Sequence, residues 1–560
     1  MSSGAGVQMP QRNSNINYFL RVIRTGVVLD GFILLTASLL RLWNLDIKPP
    51  HFDEGINGWF VDQMKISGYY RYDPENYHGP LYFYVLFVFL SLLGRNLWAL
   101  RLPAVISSIA AVWIALRFDR FFGHRSARLG ALALALSPAA VFYGRYAIHE
   151  SMLVLALMIT TWGILGLLQD GRCRELIVTV IGVSLMLLIK ETALIHLGCF
   201  VLSGGCLFLW QRIVPVMPPH KLAKQTWSGR DLVLCCSLSL FALLFFYSGT
   251  FLNWAGAGDF FLAYSKWFNT GSGAGGHIKE EYQLGPINYY WIALMGRYEW
   301  PSLLGLAFAI RLAFPAPILQ RYLAIYGIGT LIAYSIIPYK TPWCIISLLW
   351  PFSILFGCAV EEVRAVLGLN PFKTFGSIAV ASLLLGVSMI MTIRLNFLHF
   401  VDPKEPYVYV QTQPGISVVT DPVLGMAARD PRNHSMGGQI VLESYYPLPW
   451  IFGDFTRIGY YGKDEMPATL DGDFIVALSS QQKLVESRLL HPYLRRHFQL
   501  RDSMDECTVW FREALFGRWF SEPAHGSAER VVPAGAPSNS PVIERHDYNP
   551  KIPGMITSPS

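Results

Sequence analysis

The feature that most limits what this chain can become is its series of long apolar runs. Crossing about 30 Å of hydrocarbon takes roughly 17 to 25 apolar residues as a helix, and about eleven stretches meet that need. They lie near 26–44, 99–118, 127–143, 151–168, 175–190, 193–210, 231–252, 300–314, 321–337, 344–361 and 375–394. Only 15% of residues are charged and 53% are hydrophobic, which fits a polytopic α-helical membrane protein and no soluble class. The net charge of +7 is dispersed over short connecting segments, which argues against nucleic acid as a partner. Nearly all of the eight cysteines sit in or beside apolar runs, without a disulfide framework or a CxxC pair. The first apolar run lacks a small-residue cleavage site and reads as a retained anchor.

Leu81–Leu93 is apolar but short, and charge decides its place. If it lies on the surface, Arg117, Arg120, Arg125 and Arg128, then Arg172 and Arg174, then Arg212, Lys221, Lys224 and Arg230 all share one side with Arg12, Arg21 and Arg24. The positive-inside rule makes that side cytoplasmic. The opposite, extracytosolic face then collects residues 51–94, 143–150, the Lys190-Glu191 junction, 253–300 and 338–343. The expected domains are a cytoplasmic segment 1–25, a transmembrane domain 26–395 with an external loop 45–98, an extracytosolic α/β domain 396–515, and a disordered tail 516–560 rich in Pro, Ser, Gly and Ala. In the α/β domain, 416–419, 439–442, 474–478 and 508–511 read as strands and 481–490 as helical or loop.

Candidate chemistry sits on the external face. Asp53 suits the N-cap of a short interfacial helix whose apolar face is Ile56, Trp59, Phe60 and Met64. The same carboxylate suits a general base, with Glu54 orienting the acceptor or a metal. Arg145-Tyr146-Ala147-Ile148-His149-Glu150 offers a second polar set: a favourable helix start, or contacts to substrate or metal. Lys190-Glu191 is either a self-paired charge at a helix end or a cation for a lipid-linked phosphate. Pro338-Tyr339-Lys340-Thr341-Pro342-Trp343 reads as a stiff aromatic turn at headgroup level. The glycine-rich 271–276 before His277–Tyr282 reads as a mobile external loop or a plain linker and lacks the P-loop order.

Taken in order, these features resemble the GT-C superfamily of polyprenyl-phosphate-sugar-dependent glycosyltransferases, which includes protein O-mannosyltransferases and the aminoarabinose transferase of lipid A. The resemblance rests on the Asp53-Glu54 pair, His78-Gly79-Pro80, Leu100-Arg101-Leu102-Pro103 and the Arg145–Glu150 motif. A prokaryotic flippase-activity-associated, mannosyltransferase-like family is similar in Lys190-Glu191-Thr192, Tyr298-Glu299-Trp300-Pro301, Tyr339–Trp343 and Tyr446-Pro447-Leu448-Pro449-Trp450. The resemblance implies catalytic roles for Asp53 and Glu54. It implies substrate contacts from His78, Arg145, His149, Glu150, Lys190, Glu191, Tyr339 and Lys340. Some members use a divalent metal, magnesium or manganese, for which Asp53, His149 and Glu150 are the candidates. Because His78-Gly79 replaces the basic residue that other members carry there, phosphate binding falls to Lys190 or Lys340. The implied partners are a polyprenyl-phosphate-linked sugar, membrane lipid and a protein or glycan acceptor. The competing expectations are a transporter of lipid-linked sugars and a non-catalytic partner of one.

Overall fold

In the computed structural model, residues 12–215, 224–270, 272, 280–285, 287–368 and 371–533 are described. The chain opens with a long helix, α1 (Arg12–Leu42), followed by two short ones, α2 (Phe52–Ser67) and α3 (Leu81–Leu93). At 13 residues and about 20 Å, α3 is too short to span, as the charge argument expects. The bundle continues through α4 (Leu97–Arg117), α5 (Asp119–Phe122), α6 (His124–Ala135), α7 (Pro138–Gly144), α8 (Glu150–Gln169), α9 (Cys173–Ile189), α10 (Ala193–Ile213) and α11 (Gly229–Tyr247). After α12 (Ala255–Asn269) and a small hairpin, β1 (Gln283–Leu284) with β2 (Ile287–Asn288), come α13 (Tyr290–Tyr298), α14 (Trp300–Arg311), α15 (Ile318–Ile336), α16 (Ile345–Leu367) and α17 (Pro371–Ile393).

The expected eleven spans are not matched one for one. Among the described residues six helices are long and apolar enough to cross a membrane, seven if the bent pair α6–α7 counts as one span. The run near 300–314 is a helix of only 12 residues because Glu299 interrupts the chain before it, and α9 reaches only 17. The chain is a multi-pass membrane protein. Ion pairs gather the basic connecting segments at one end: Arg128 and Arg117 meet Asp30 at 2.6 and 3.8 Å, Arg120 meets Glu175 at 2.7 Å, and Arg311 meets Glu362 at 3.1 Å.

The bend of 58° between α6 and α7 has a local cause. Pro138 cannot continue the ladder, and Ser137 restarts a helix by accepting the N–H of Ala140 at 3.2 Å. Arg41 donates to the freed carbonyls of Ala135 (3.1 Å) and Leu134 (3.4 Å), while Glu299 accepts from Ser137 Oγ and the Ala139 N–H. A break in an apolar bundle is tolerated when its backbone groups are re-paired in this way.

The C-terminal unit contains α18 (Ser417–Arg429), β3 (Gly437–Val441), α19 (Leu448–Ile451), β4 (Arg457–Tyr461), β5 (Phe474–Leu478), α20 (Gln482–Glu486), β6 (Tyr493–Phe498), β7 (Cys507–Arg512), α21 (Glu513–Phe520) and β8 (Glu529–Val531). Its six strands run in the order β4-β3-β5-β7-β6-β8, with β3 parallel to β4 and β5 and the remaining pairs antiparallel. Residues 416–419, expected as a strand, instead enter α18, burying Ile416 and Val419. Residues 516–533, expected to be disordered, hold the end of α21, with Phe516 and Trp519 buried, and the edge strand β8; residues 534–560 lie outside the described residues. Phe52, the residue before Asp53, belongs to this unit's core with Tyr446, Leu448 and Phe452.

Candidate active site

The first turn of α2 organises the site. His51, not Asp53, is the N-cap: its Nδ1 accepts the N–H of Asp53 at 3.1 Å, and the Glu54 carboxylate returns to the His51 N–H at 2.8 Å. The helix starts two residues earlier than a cap at Asp53 requires, so the Asp53 carboxylate is released from capping. His51 Nε2 lies 2.9 Å from the Tyr409 carbonyl and must donate to it. The ring is therefore the neutral Nε2–H tautomer, and its 3.7 Å approach to Asp53 is not an ion pair.

Glu54 faces away from solvent. Arg101 donates to both its oxygens, at 2.8 and 2.7 Å, and the Ala147 N–H adds a third donor at 2.8 Å. Burial pushes this carboxyl up, but the Arg101 charge and the converging N–H groups outweigh it and hold Glu54 below the usual carboxylate range. Arg101 spends its other donors on the carbonyls of Leu45, Lys48 and Pro49. Asn57 then takes the Ala147 carbonyl at 2.8 Å, so α2 grips the 145–149 turn by both backbone groups of one residue. On its other side Gly55 meets Pro447 and Gly58 meets Trp450, where an added Cβ would lie 2.4 and 2.2 Å from them. Those glycines permit the contact between α2 and the C-terminal unit.

A cavity of about 660 Å³ opens beside this turn. Asp53, His78, His149, Glu150, Lys190, Glu191 and Tyr339 all line it, seven of the ten residues expected at the site. Glu54, Arg145 and Lys340 do not. Arg145 turns inward, donating to the carbonyls of Leu40 and Asn44 past the end of α1 and covering the Phe397 ring. Lys340 is likewise buried, donating to the carbonyls of Tyr334, Ser335 and Ile337, and burial lowers its ammonium to about 8. Both cations cap helix ends instead of reaching the cavity.

Most of the lining charges are paired. Lys190 binds Glu150, His78 Nδ1 meets Glu191 at 2.8 Å, Lys266 meets Glu75 at 2.6 Å, and Glu443 meets Lys463 at 2.8 Å. Burial pushes Glu191 up, yet His78 and Lys190 bring it below its ordinary range. Among the described residues Asp53 has no Lys or Arg within ion-pair distance, and its side chain is 32% exposed. His149 packs between the rings of Tyr82 and His78, at 4.3 and 4.5 Å, and its buried Nε2 has no partner. Burial first, then His78 and Lys190, keep it neutral. Gly79 lets this wall close: its N–H donates to the Ile189 carbonyl, and a Cβ there would lie 2.2 Å from the Leu188 oxygen.

Among the described residues no three His, Cys, Asp or Glu side chains are grouped to hold a metal ion. Asp53, His149 and Glu150 therefore do not form a ligand set, since Glu150 is engaged by Lys190. Reading the sequence did not single out Lys266, Glu75, Tyr409, Ser444 or Tyr446 as lining residues. Ser444 and Tyr446 come from the C-terminal unit, where Arg501 holds their carbonyls while lying over the Phe52 ring. The expected 271–276 loop falls almost wholly outside the described residues.

The arrangement has relatives. A family model described as dolichyl-phosphate-mannose-protein mannosyltransferase matches residues 77–215, which hold His78, His149, Glu150, Lys190 and Glu191 but not Asp53. Among solved structures, the chain is similar to ArnT from Cupriavidus metallidurans bound to undecaprenyl phosphate, at 17% identity and a TM-score of 0.51, over 87% of this chain and 97% of that one. It is similar also to an Archaeoglobus fulgidus oligosaccharyltransferase tethered to an acceptor peptide, at 11% identity and a TM-score of 0.50, over 86% of this chain and 74% of that one. The fold is that of the GT-C glycosyltransferases. A putative mannosyltransferase of Bacillus subtilis, YycA, is 24% identical over 151 residues, a quarter of this chain and 22% of that protein's length. Within this fold the matched segment supplies the wall of the cavity that holds His78, His149, Glu150, Lys190 and Glu191, and α2 supplies Asp53.

Proposed function

We propose that this protein transfers a sugar from a polyprenyl-phosphate carrier to an acceptor on a protein, lipid or glycan, at the extracytosolic face of the cell membrane. The observation that carries the reading is Asp53, a partly exposed lining carboxylate with no Lys or Arg ion pair among the described residues, on a helix clamped from both sides. A base must be unpaired to accept a proton and rigidly held to do so in line. In the proposed step the acceptor O–H gives its proton to Asp53 while its oxygen bonds to the anomeric carbon. The bond from that carbon to the phosphate oxygen breaks, and the electron pair leaves with the polyprenyl phosphate. Displacement of this kind inverts the anomeric configuration. Charge developing on the phosphate needs cations, and the lining supplies Lys190 and Lys266. His149 Nε2, neutral and without a partner, is available to a substrate oxygen.

A transporter is favoured by broken helices that line the substrate path. The broken pair α6–α7 contributes no residue to the cavity, and its backbone is sealed by Arg41, Ser137 and Glu299, so transport gains no support from it. The test is Asp53→Asn in membranes supplied with a polyprenyl-phosphate sugar. Loss of a general base predicts a fall of about 10²–10⁴ in transfer with normal expression. Full activity in that variant ends the assignment.

A further inference from the structure

Outside the cavity, α12 carries an exposed aromatic surface that the proposed chemistry does not use. α12 leaves Trp254 just before it, and Phe261 and Phe268 within it, 61%, 73% and 71% exposed. At about 100° per residue, a spacing of seven brings each of these rings within about 20° of the one before. They form a single stripe. The opposite side of the helix carries Asp259, Lys266 and Trp267, and the last two line the cavity.

Two facts say what covers the stripe. α12 follows α11 after seven residues, and α11 is an apolar span with none of its apolar window fully buried, so the sides it turns away from α9 face lipid. The aromatic hinge between them packs Phe245 and Phe251 at 5.4 Å and stacks Phe251 on Trp254 at 5.5 Å, at the level where a span leaves the bilayer. At 15 residues α12 is about 22 Å long and cannot itself cross.

We infer that α12 is an interfacial helix, with the Trp254–Phe261–Phe268 stripe sunk in the headgroup and acyl boundary and its inner face forming the lipid-side sill of the cavity. Its outer face continues the lipid-facing surface of α11, so the occupant is the bilayer and not a partner protein. The inference requires only that the chain spans a membrane, and it stands or falls apart from the transfer reading.

The test places benzoylphenylalanine singly at Phe261, Phe268 and Asp259 in the full chain, reconstituted in phosphatidylcholine vesicles with tritiated acyl chains. Leu238 on α11, 61% exposed, serves as the lipid control, and Arg432 on the C-terminal unit as the water control. On irradiation, Phe261 and Phe268 should take up label as Leu238 does, with Asp259 at the level of Arg432. Labelling of Phe261 and Phe268 no higher than at Arg432 overturns the inference. Labelling of Asp259 equal to Phe261 overturns it too, because the helix would then be immersed and not lying at the surface. Either result leaves the Asp53→Asn test of transfer untouched.

Discussion

Replacing Glu54 by Gln separates a structural carboxylate from a catalytic one. Four N–H groups converge on the two oxygens of Glu54: two from Arg101 and one each from Ala147 and His51. A glutamine can offer its oxygen to two of them, but its own NH₂ then faces the other two. Arg101 stays buried and charged, with half of its compensation removed. Breaking a buried pair in this manner costs about 3–5 kcal/mol, or roughly two to four orders of magnitude in the folding equilibrium. Replacing both partners, as Glu54→Leu with Arg101→Met, should not restore the parent, because the N–H groups of Ala147 and His51 lose their acceptor at about 1–3 kcal/mol each. The pH dependence has a definite sign. The folded carboxyl lies below the ordinary value of about 4.3, so its contribution is fully present above that value and is lost as pH falls through the folded one. Thermal midpoints in detergent should therefore show a constant gap between parent and Glu54→Gln at pH 5–8 that narrows only in acid. An unchanged midpoint at pH 7 with transfer abolished would refute the reasoning and return Glu54 to the chemistry.

Three further outcomes rest on the contacts of single side chains and glycines. Lys340→Met removes the donor to three carbonyls at the end of α15 and should cost about 1.5–3 kcal/mol while leaving the half-saturating concentration of lipid-linked donor unchanged. A raised half-saturation with intact thermal stability would show that this lysine reaches the phosphate. Gly79→Ala should sharply reduce the yield of monodisperse protein, since its Cβ meets the Leu188 carbonyl of a neighbouring helix. Gly258→Ala on α12, with nothing within 4 Å, should be neutral or stabilise by about 0.5–1 kcal/mol.

The expectations that survive are those set by length and local pattern. Leu81–Leu93 is a short helix because thirteen residues are too few to span, and 474–478 is a strand because its five residues are β-prone and fully apolar. What the pattern left open is direction. Arg145 and Lys340 are cations at helix ends on the expected face, but a side chain there can turn toward substrate or toward orphan carbonyls, and local sequence carries no sign of which. Glu54 was paired in the reading with Asp53, its neighbour. Its actual partner is Arg101, 47 positions away, and only the fold brings them together. Tyr446 opens a stretch that carries the resemblance and Ser444 lies just before it, but nothing nearby in sequence ties either to the cavity, because only the fold brings Arg501 to their carbonyls and over Phe52.

The division of labour in Asp53-Glu54 follows from helical geometry. Adjacent residues on a helix point about 100° apart, so two neighbouring carboxylates cannot serve one site equally. Capping draws Glu54 back over the helix start and into Arg101, and the same turn directs Asp53 outward to the cavity. His51 completes the arrangement. Its Nδ1 is spent on the Asp53 N–H and its Nε2–H on the Tyr409 carbonyl, so it holds Asp53 in place without neutralising it. A His51→Ala variant should keep the carboxylate but loosen its aim, lowering transfer by less than Asp53→Asn does. His51→Asn, which restores a capping oxygen, should recover helix stability and leave the Tyr409 tether missing. If both variants match the parent in transfer, the rigidity attributed to this first turn is not what the site requires.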